Sequence, residues 1–200
     1  MRRYKGSKDS HFSGHKGQHR RPTKILSFEE ADDRLYDIFR NHDFQHIQHS
    51  QRHQLVRFYQ LLMQNQQQDN FTRLLKFKDI AIKHFIDSLI VLNLEDLRFP
   101  LLDMGTGPGF PGIPLKIFHP GRKMILCEGV QKRVQFLKQV RSDLQLENLD
   151  IIGRYVNKDF IYPVNGVITR AVENTSQTLS DVQNSLNPGG RLYLMKGPHV

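Results

Sequence analysis

The chain has little cysteine and no long apolar run. Its 200 residues include one cysteine, Cys127, and no tryptophan. One thiol cannot form an intrachain disulfide framework or a multi-thiolate metal site, so we expect a reducing, cytoplasmic environment. No apolar stretch reaches the roughly 20 residues that span a bilayer, and the N-terminus lacks the apolar core of a secretory signal. The composition therefore predicts a soluble protein with no membrane contact.

Acidic residues are also in short supply. The chain carries 29 Lys and Arg against 20 Asp and Glu, a formal net charge of +9. Such a surface attracts polyanions, because each contact with a phosphate releases a condensed counterion. The excess is greatest in residues 1–24, which hold eight Lys or Arg against the lone acid Asp9. We interpret this stretch as a disordered basic arm that tethers RNA without sequence preference, the alternative being a merely tolerated tail.

Three amphipathic patterns predict a helical cap over residues 25–98. Ser27, with Glu30 three residues later, is typical of a capped helix start. Apolar side chains then recur at steps of three and four, which places them on one face of each helix. The three inward faces are Phe28, Leu35, Ile38 and Phe39; Leu55, Phe58, Tyr59, Leu62 and Met63; and Phe77, Ile80, Ala81, His84, Phe85, Ser88 and Leu89.

Four histidines, His42, His46, His49 and His53, follow one another at steps of four, three and four. On a helix they would share a face. Imidazoles four residues apart can chelate a transition metal, but the sequence shows no carboxylate or thiolate that completes a site. We favour a solvated polar helix edge and expect no required metal.

From residue 99 onward, short apolar runs alternate with helical segments. Nearly continuous apolar runs are typical of parallel strands covered by helices on both faces. The sequence therefore predicts an α/β fold with a doubly wound, mostly parallel sheet behind an N-terminal helical extension. The predicted strands are residues 100–104, 123–127, 149–153, 165–169 and 191–195, with a helix at 130–146 that buries Val134, Leu137, Val140 and Leu144 and a turn at 187–190.

The stretch LLDMGTGPGFPGIPLKI, residues 101–117, carries the clearest chemical signal. Gly105, Gly107 and Gly109 follow a strand, so a ligand can lie directly on their backbone near the positive end of the next helix. Asp103, two residues before the first glycine, is placed to receive an α-ammonium group, which dinucleotides lack. Glu128 ends the second strand, where a carboxylate can accept two ribose hydroxyls. Alternative interpretations are a nicotinamide site and a pair of helix-capping acids.

The string GTGPGFPGIPL resembles the signature of the RsmG (also called GidB) family of 16S rRNA guanine-N7 methyltransferases. The resemblance covers roughly residues 50–198 and implies a class I methyltransferase fold, S-adenosylmethionine (SAM) as cofactor, and 16S rRNA or the small ribosomal subunit as partner. Shorter matches occur in the family's order at Asn70-Phe71-Thr72, His84 with Asp87-Ser88-Leu89, Lys132-Arg133 with Phe136-Leu137, Arg170-Ala171 and Lys196-Gly197.

The resemblance also implies roles for single residues. Gly105 and Phe110 would line the cofactor, Tyr155 and Val156 would flank its adenine, and Arg170 would lie at the mouth shared by cofactor and substrate. Lys196 is a second candidate substrate contact. The family usually has Arg-Ala-Glu where this chain has Arg154-Tyr155-Val156, so an acid near the adenine is absent, and Asn157 or Asp159 could replace it only with a local shift.

The resulting expectation is SAM-dependent methylation of guanine N7, by alignment and not by a general base. A nicotinamide-dependent oxidoreductase and a non-catalytic RNA-binding or assembly protein with this fold are the alternatives. The family normally continues beyond its Lys-Gly, whereas this chain stops at Val200. We therefore expect a methyltransferase core over residues 99–200 without the final strand pair, and a monomer unless the exposed last strand pairs with another chain.

Overall fold

The computed structural model describes residues 24–170 and 174–196. Apart from Lys24, the predicted basic arm lies outside the described residues, as do Ala171, Gly197 and the chain end at Val200. Within them, α1 (Phe28–Arg40) is capped by Ser27, whose hydroxyl oxygen accepts a hydrogen bond from the backbone N–H of Glu30 at 3.2 Å. This confirms the predicted helix start, although the Glu30 carboxylate binds Lys24 and Arg34 instead of closing a capping box.

The long helix α2 (His49–Asp69) buries every apolar side chain that its pattern predicted. The prediction for the histidines is wrong in two respects. His42 and His46 precede α2, so only His49 and His53 lie on the helix. A carboxylate does reach them, because Asp32 of α1 packs against this end of α2.

The predicted third helix is interrupted. It runs as α3 (Phe77–Ile80), a π-helical segment (Ala81–Ile86), α4 (Asp87–Leu89) and a 3-10 turn (Ile90–Asn93). The hydroxyl of Ser88 donates a hydrogen bond to the carbonyl oxygen of His84 within this stretch. Wide turns of this kind are frequent at functional sites.

The rest of the described chain forms one five-stranded sheet in the order β3-β2-β1-β4-β5, with every pairing parallel. This confirms the predicted doubly wound α/β fold. The strands are β1 (Leu101–Met104), β2 (Met124–Cys127), β3 (Leu149–Ile152), β4 (Val164–Arg170) and β5 (Leu186–Met195), and the helices are α5 (Gly112–Phe118), α6 (Gln131–Asp143) and α7 (Thr175–Val182).

Both faces of the sheet are covered, which explains the continuous apolar runs. Leu101 faces a large cluster that includes α5, α6 and the N-terminal helices. Its neighbour Leu102 faces a second cluster with Val156, Phe160 and Val182. The N-terminal helices thus share one core with the sheet, and the domain boundary at residue 98 stays a prediction.

The last strand differs from its predicted form. β5 begins at Leu186 and contains residues 187–190, which the sequence predicts as a turn before the strand. Leu186 pairs with Val164 of β4, and the next paired residue, Arg191, pairs with Gly166. Residues 187–190 of β5 therefore bulge out of the hydrogen-bonded ladder. Within the described residues, none of the helices is both long and apolar enough to cross a membrane.

Candidate functional site

The glycine loop follows the central strand β1, between its neighbours β2 and β4. This is the position where strand order reverses and where open α/β sheets bind their ligands. Gly105, Gly107 and Gly109 have φ values of +71°, +61° and +110°, a left-handed backbone that favours glycine. A Cβ added at Gly105 or Gly107 would meet nothing within 4 Å. Their backbone therefore borders open space.

Asp103 lies beneath this loop and is fully buried. One carboxylate oxygen, Oδ2, accepts a 2.7 Å bond from the backbone N–H of Gly112 at the start of α5. The other oxygen, Oδ1, has no hydrogen-bond partner among residues 24–170 and 174–196. Burial raises the pKa of Asp103 from 3.8 to about 7. Asp103 thus caps α5, and the nearby Thr106 hydroxyl opposes the effect of burial on its pKa; its contact with an α-ammonium stays a prediction.

Glu128 follows β2 at the same edge of the sheet and is nearly buried. Its Oε1 accepts a 2.8 Å bond from the Val130 N–H, while Oε2 lies 3.6 Å from a terminal guanidinium nitrogen (Nη1) of Arg133. The exposed Tyr155 ring lies directly against Gly129, because an added Cβ there would approach its ring carbons to 2.2 Å. The structure therefore brings predicted ribose and adenine contacts side by side, and Val156 is buried just behind them.

Phe110 is packed on the side of the loop that faces the N-terminal helices. Its ring stacks on His84 at a centroid distance of 4.3 Å and an interplanar angle of 17°. The Arg170 guanidinium carbon lies 5.5 Å from the same ring centroid. Phe110 is almost completely buried and packs beneath the Arg170 guanidinium. Its contact with a cofactor stays a prediction.

Arg170, at the end of β4, is held from three directions. It donates to the Asp87 carboxylate at 2.9 Å and to the Lys83 carbonyl at 3.2 Å, and a terminal guanidinium nitrogen (Nη2) lies 3.3 Å from Nδ1 of His84. The opposite ring nitrogen, Nε2, lies 2.9 Å from the hydroxyl of Thr72. Since the arginine can only donate, Nδ1 accepts and Nε2 carries the proton.

The environment keeps His84 neutral. Burial, followed by the nearby positive charge of Arg170, lowers the pKa of His84 to about 4. A neutral imidazole can accept from Arg170 on one side and donate to Thr72 on the other, so it bridges them across the whole neutral pH range.

Arg170 and Lys196 both line a cavity of about 630 Å³ beside the ends of β4 and β5. The Lys196 ammonium donates to the Thr175 hydroxyl at 2.9 Å. The two predicted substrate contacts are therefore brought together at one concave surface. Cys127 lies in β2, and burial raises the pKa of its thiol to about 12, so it is no nucleophile at neutral pH.

The polar network behind Arg170 was not foreseen from the residues. Its deepest member, the fully buried Gln66, donates to the Thr72 carbonyl and accepts from the Thr72 N–H, both at 2.8 Å. One indication is present in the sequence: Thr72, His84, Asp87 and Arg170 each belong to one of the short motifs shared with the family. Their convergence depends on a fold that joins α2, α4 and β4, which motif spacing does not encode.

An all-parallel sheet of this order, with a glycine loop after its central strand and an acid after the next, is common to dinucleotide-binding proteins and class I SAM-dependent methyltransferases. A SAM-dependent methyltransferase from Aquifex aeolicus superposes with a TM-score of 0.49 and 16% identity, over 57% of this chain and 65% of that structure.

Sequence comparisons give the family. Residues 51–200 match the GidB model, described as rRNA small subunit methyltransferase G. Ribosomal RNA small subunit methyltransferase G 2 of Bdellovibrio bacteriovorus is 60% identical over 184 residues, 92% of this chain and 72% of that protein. Ribosomal RNA small subunit methyltransferase G of Yersinia enterocolitica is 37% identical over 151 residues, 74% of this chain and 72% of that protein. A relative from Syntrophobacter fumaroxidans is 43% identical over 145 residues, 72% of this chain but only 29% of its own length. The chain belongs to the rRNA small subunit methyltransferase G family.

Proposed function

We propose that the chain transfers a methyl group from SAM to N7 of a guanine in 16S rRNA, as naked RNA or within the small ribosomal subunit. Family membership supports the reaction class and the RNA. The observation that carries the assignment to this site is the open glycine backbone above a buried carboxylate oxygen that has no partner among the described residues.

The residues at the crevice fit the cofactor. SAM carries an α-ammonium, a carboxylate, a ribose diol and an adenine ring. The Oδ1 of Asp103 suits the ammonium, and the open backbone at Gly107 suits the carboxylate, whereas the N–H groups of Gly105 and Thr106 already donate to the Cys127 carbonyl. Glu128 suits the diol, and the exposed ring of Tyr155 suits a face of the adenine. Tyr155 would contact the adenine by stacking alone, without the charge of the acid that the family usually has.

The chemistry requires little from the protein beyond alignment. SAM supplies a methyl group bonded to a sulfonium sulfur; attack by the N7 lone pair forms the C–N bond as the C–S bond breaks, and the electron pair leaves with sulfur. No proton is released, so no general base is needed. This agrees with the site, where burial and the charge of Arg170 keep His84 neutral and Cys127 is buried.

The protein residues would position the RNA. Arg170 and Lys196 present positive charge at the same cavity, where they suit a phosphate or the edge of a base. Asp87 and His84 hold the guanidinium of Arg170 in one orientation, so less freedom is lost when RNA binds. The high net charge supports a polyanionic partner.

Single-turnover methylation tests this proposal. With saturating SAM and unmethylated small-subunit RNA at fixed ionic strength, the rate should change little between about pH 7 and pH 9, because the N7 lone pair is free throughout. A tenfold rise per pH unit would contradict attack by N7. A folded protein that binds SAM yet transfers no methyl group to RNA or subunits would support the non-catalytic alternative.

A further inference from the structure

Two histidines and one carboxylate converge at the junction of α1 and α2, on residues that the proposed function does not use. His49 and His53 lie one turn apart on α2, with ring centroids 3.8 Å apart. Asp32 reaches across from α1, and its Oδ2 lies 3.6 Å from Nε2 of His53. One potential ligand atom from each residue lies within 4.8 Å of the other two.

The carboxylate is fixed before any ligand arrives. Arg52 donates from Nε and from a terminal guanidinium nitrogen (Nη2) to the two oxygens of Asp32, at 2.7 and 2.8 Å. Both side chains are nearly buried, with 11% and 12% of their surface exposed. An ionised carboxylate has about four acceptor positions, so the arginine leaves lone pairs of Oδ2 available. Arg52 also lowers the pKa of Asp32, which keeps the carboxylate ionised.

The histidines are oriented and accessible. The His53 ring packs edge-on against Phe28 at a centroid distance of 4.9 Å, while 37% of its side chain remains exposed. His49 is exposed. The cluster is thus accessible to solvent at its histidines, so a water molecule can serve as a fourth ligand.

One of the three distances between ligand atoms already matches a small tetrahedral metal site, and the other two lie within 4.8 Å. Bonds of about 2.0–2.2 Å from zinc to nitrogen or oxygen place neighbouring donors roughly 3.3–3.5 Å apart. The observed 3.6 Å between Asp32 and His53 needs almost no movement, and histidines four residues apart on a helix share one face. We propose that Asp32, His49 and His53 form a binding site for a divalent transition-metal ion, with Zn²⁺ as the preferred occupant.

A metal ion bound at this site would link α1 to α2 and stabilise their packing. Two neutral imidazoles and one carboxylate are a donor set that zinc accepts, with an open fourth position. Arg52 takes the place of the outer partner that usually orients a metal-bound carboxylate. Its positive charge opposes the metal's, so we expect weaker, more exchangeable binding than in a closed four-ligand site. The competing explanation is that Asp32 serves only the ion pair with Arg52.

Calorimetric titration of the chelator-treated full chain with Zn²⁺ tests the proposal at about pH 7.5, where histidine is mostly neutral. Because the N-terminal stretch carries further histidines, single substitutions identify the site. His49→Gln and His53→Gln should each weaken one equivalent of binding at least tenfold. The matched control His46→Gln, next to α2 but outside the cluster, should bind as the wild type does.

Two further measurements distinguish a site from adventitious binding. Zn²⁺ should raise the thermal midpoint of the wild type and of His46→Gln, but not that of His53→Gln, because only a site formed on folding stabilises the fold. Bound Co²⁺ should show the intense visible absorption of four-coordinate cobalt, lost in the same variant. Identical isotherms and midpoint shifts for the wild type and His53→Gln, with no cobalt band in either, would overturn the proposal.

Discussion

The buried carboxylate of Asp103 should make the stability of the protein depend on pH in an unusual direction. Replacing Asp103 by Asn keeps the shape and the acceptor for the Gly112 N–H while removing the titration. Folding raises the pKa of Asp103 from 3.8 to about 7, so between these values the folded state binds more protons than the unfolded state. The free energy of unfolding contributed by this group therefore falls as the pH rises through that window.

The magnitude follows from the two pKa values. A shift of about three pH units at 1.36 kcal/mol per unit corresponds to a penalty of about 4 kcal/mol above pH 7, of which about 3 kcal/mol develops between pH 5 and pH 8. Urea unfolding at several pH values should thus show Asp103→Asn gaining stability relative to the wild type as the pH rises. Asp143→Asn, at an exposed acid near the end of α6, is the control and should parallel the wild type. Parallel curves for Asp103→Asn and the wild type from pH 5 to 8 would refute the reasoning.

Three other substitutions have defined outcomes. Gly105→Val should lower the free energy of unfolding by about 1 kcal/mol, because the backbone at residue 105 is left-handed, and it should weaken SAM binding about tenfold or more. The control Gly121→Val, whose added side chain also meets open space, should leave the calorimetric SAM affinity unchanged. Lys116→Met should lower the free energy of unfolding by about 2 kcal/mol in urea titrations, because the buried ammonium donates to the carbonyls of Pro120 and Arg122 at 2.8 and 2.6 Å. His84→Ala should slow single-turnover methylation about tenfold at saturating SAM and change SAM affinity by no more than about twofold, because His84 contacts Arg170 and not the cofactor crevice. Equal losses of methylation rate and SAM affinity would contradict a positioning role.

The centre of the sheet was predictable because β1, β2 and β4 are buried on both faces. Runs such as those ending at Met104 and Cys127 could be assigned without knowing their partners, and the glycine spacing located the crevice. Ser27 likewise marked the start of α1 through a local hydrogen bond. Each of these signals operates over a few neighbouring residues.

The features that escaped prediction all depend on contacts between distant segments. Asp32 and His53 are 21 positions apart, so the histidine pattern gave no sign of the carboxylate. The bulge in β5 depends on its register with β4. The bridge from Thr72 through His84 to Arg170 requires a loop, a helical segment and a strand end to meet. The spacing of residues along the chain does not predict such contacts, because they depend on tertiary packing.

Mapping the methylated atom tests the central claim most directly. Small-subunit RNA lacking the modification would be incubated with the chain and SAM labelled in its methyl group, then treated by mild reduction and aniline. N7-methylguanosine carries a positive charge that makes its glycosidic bond labile after reduction, so the RNA should break at one guanine in proportion to the label. Label incorporated without cleavage would contradict the assignment to guanine N7.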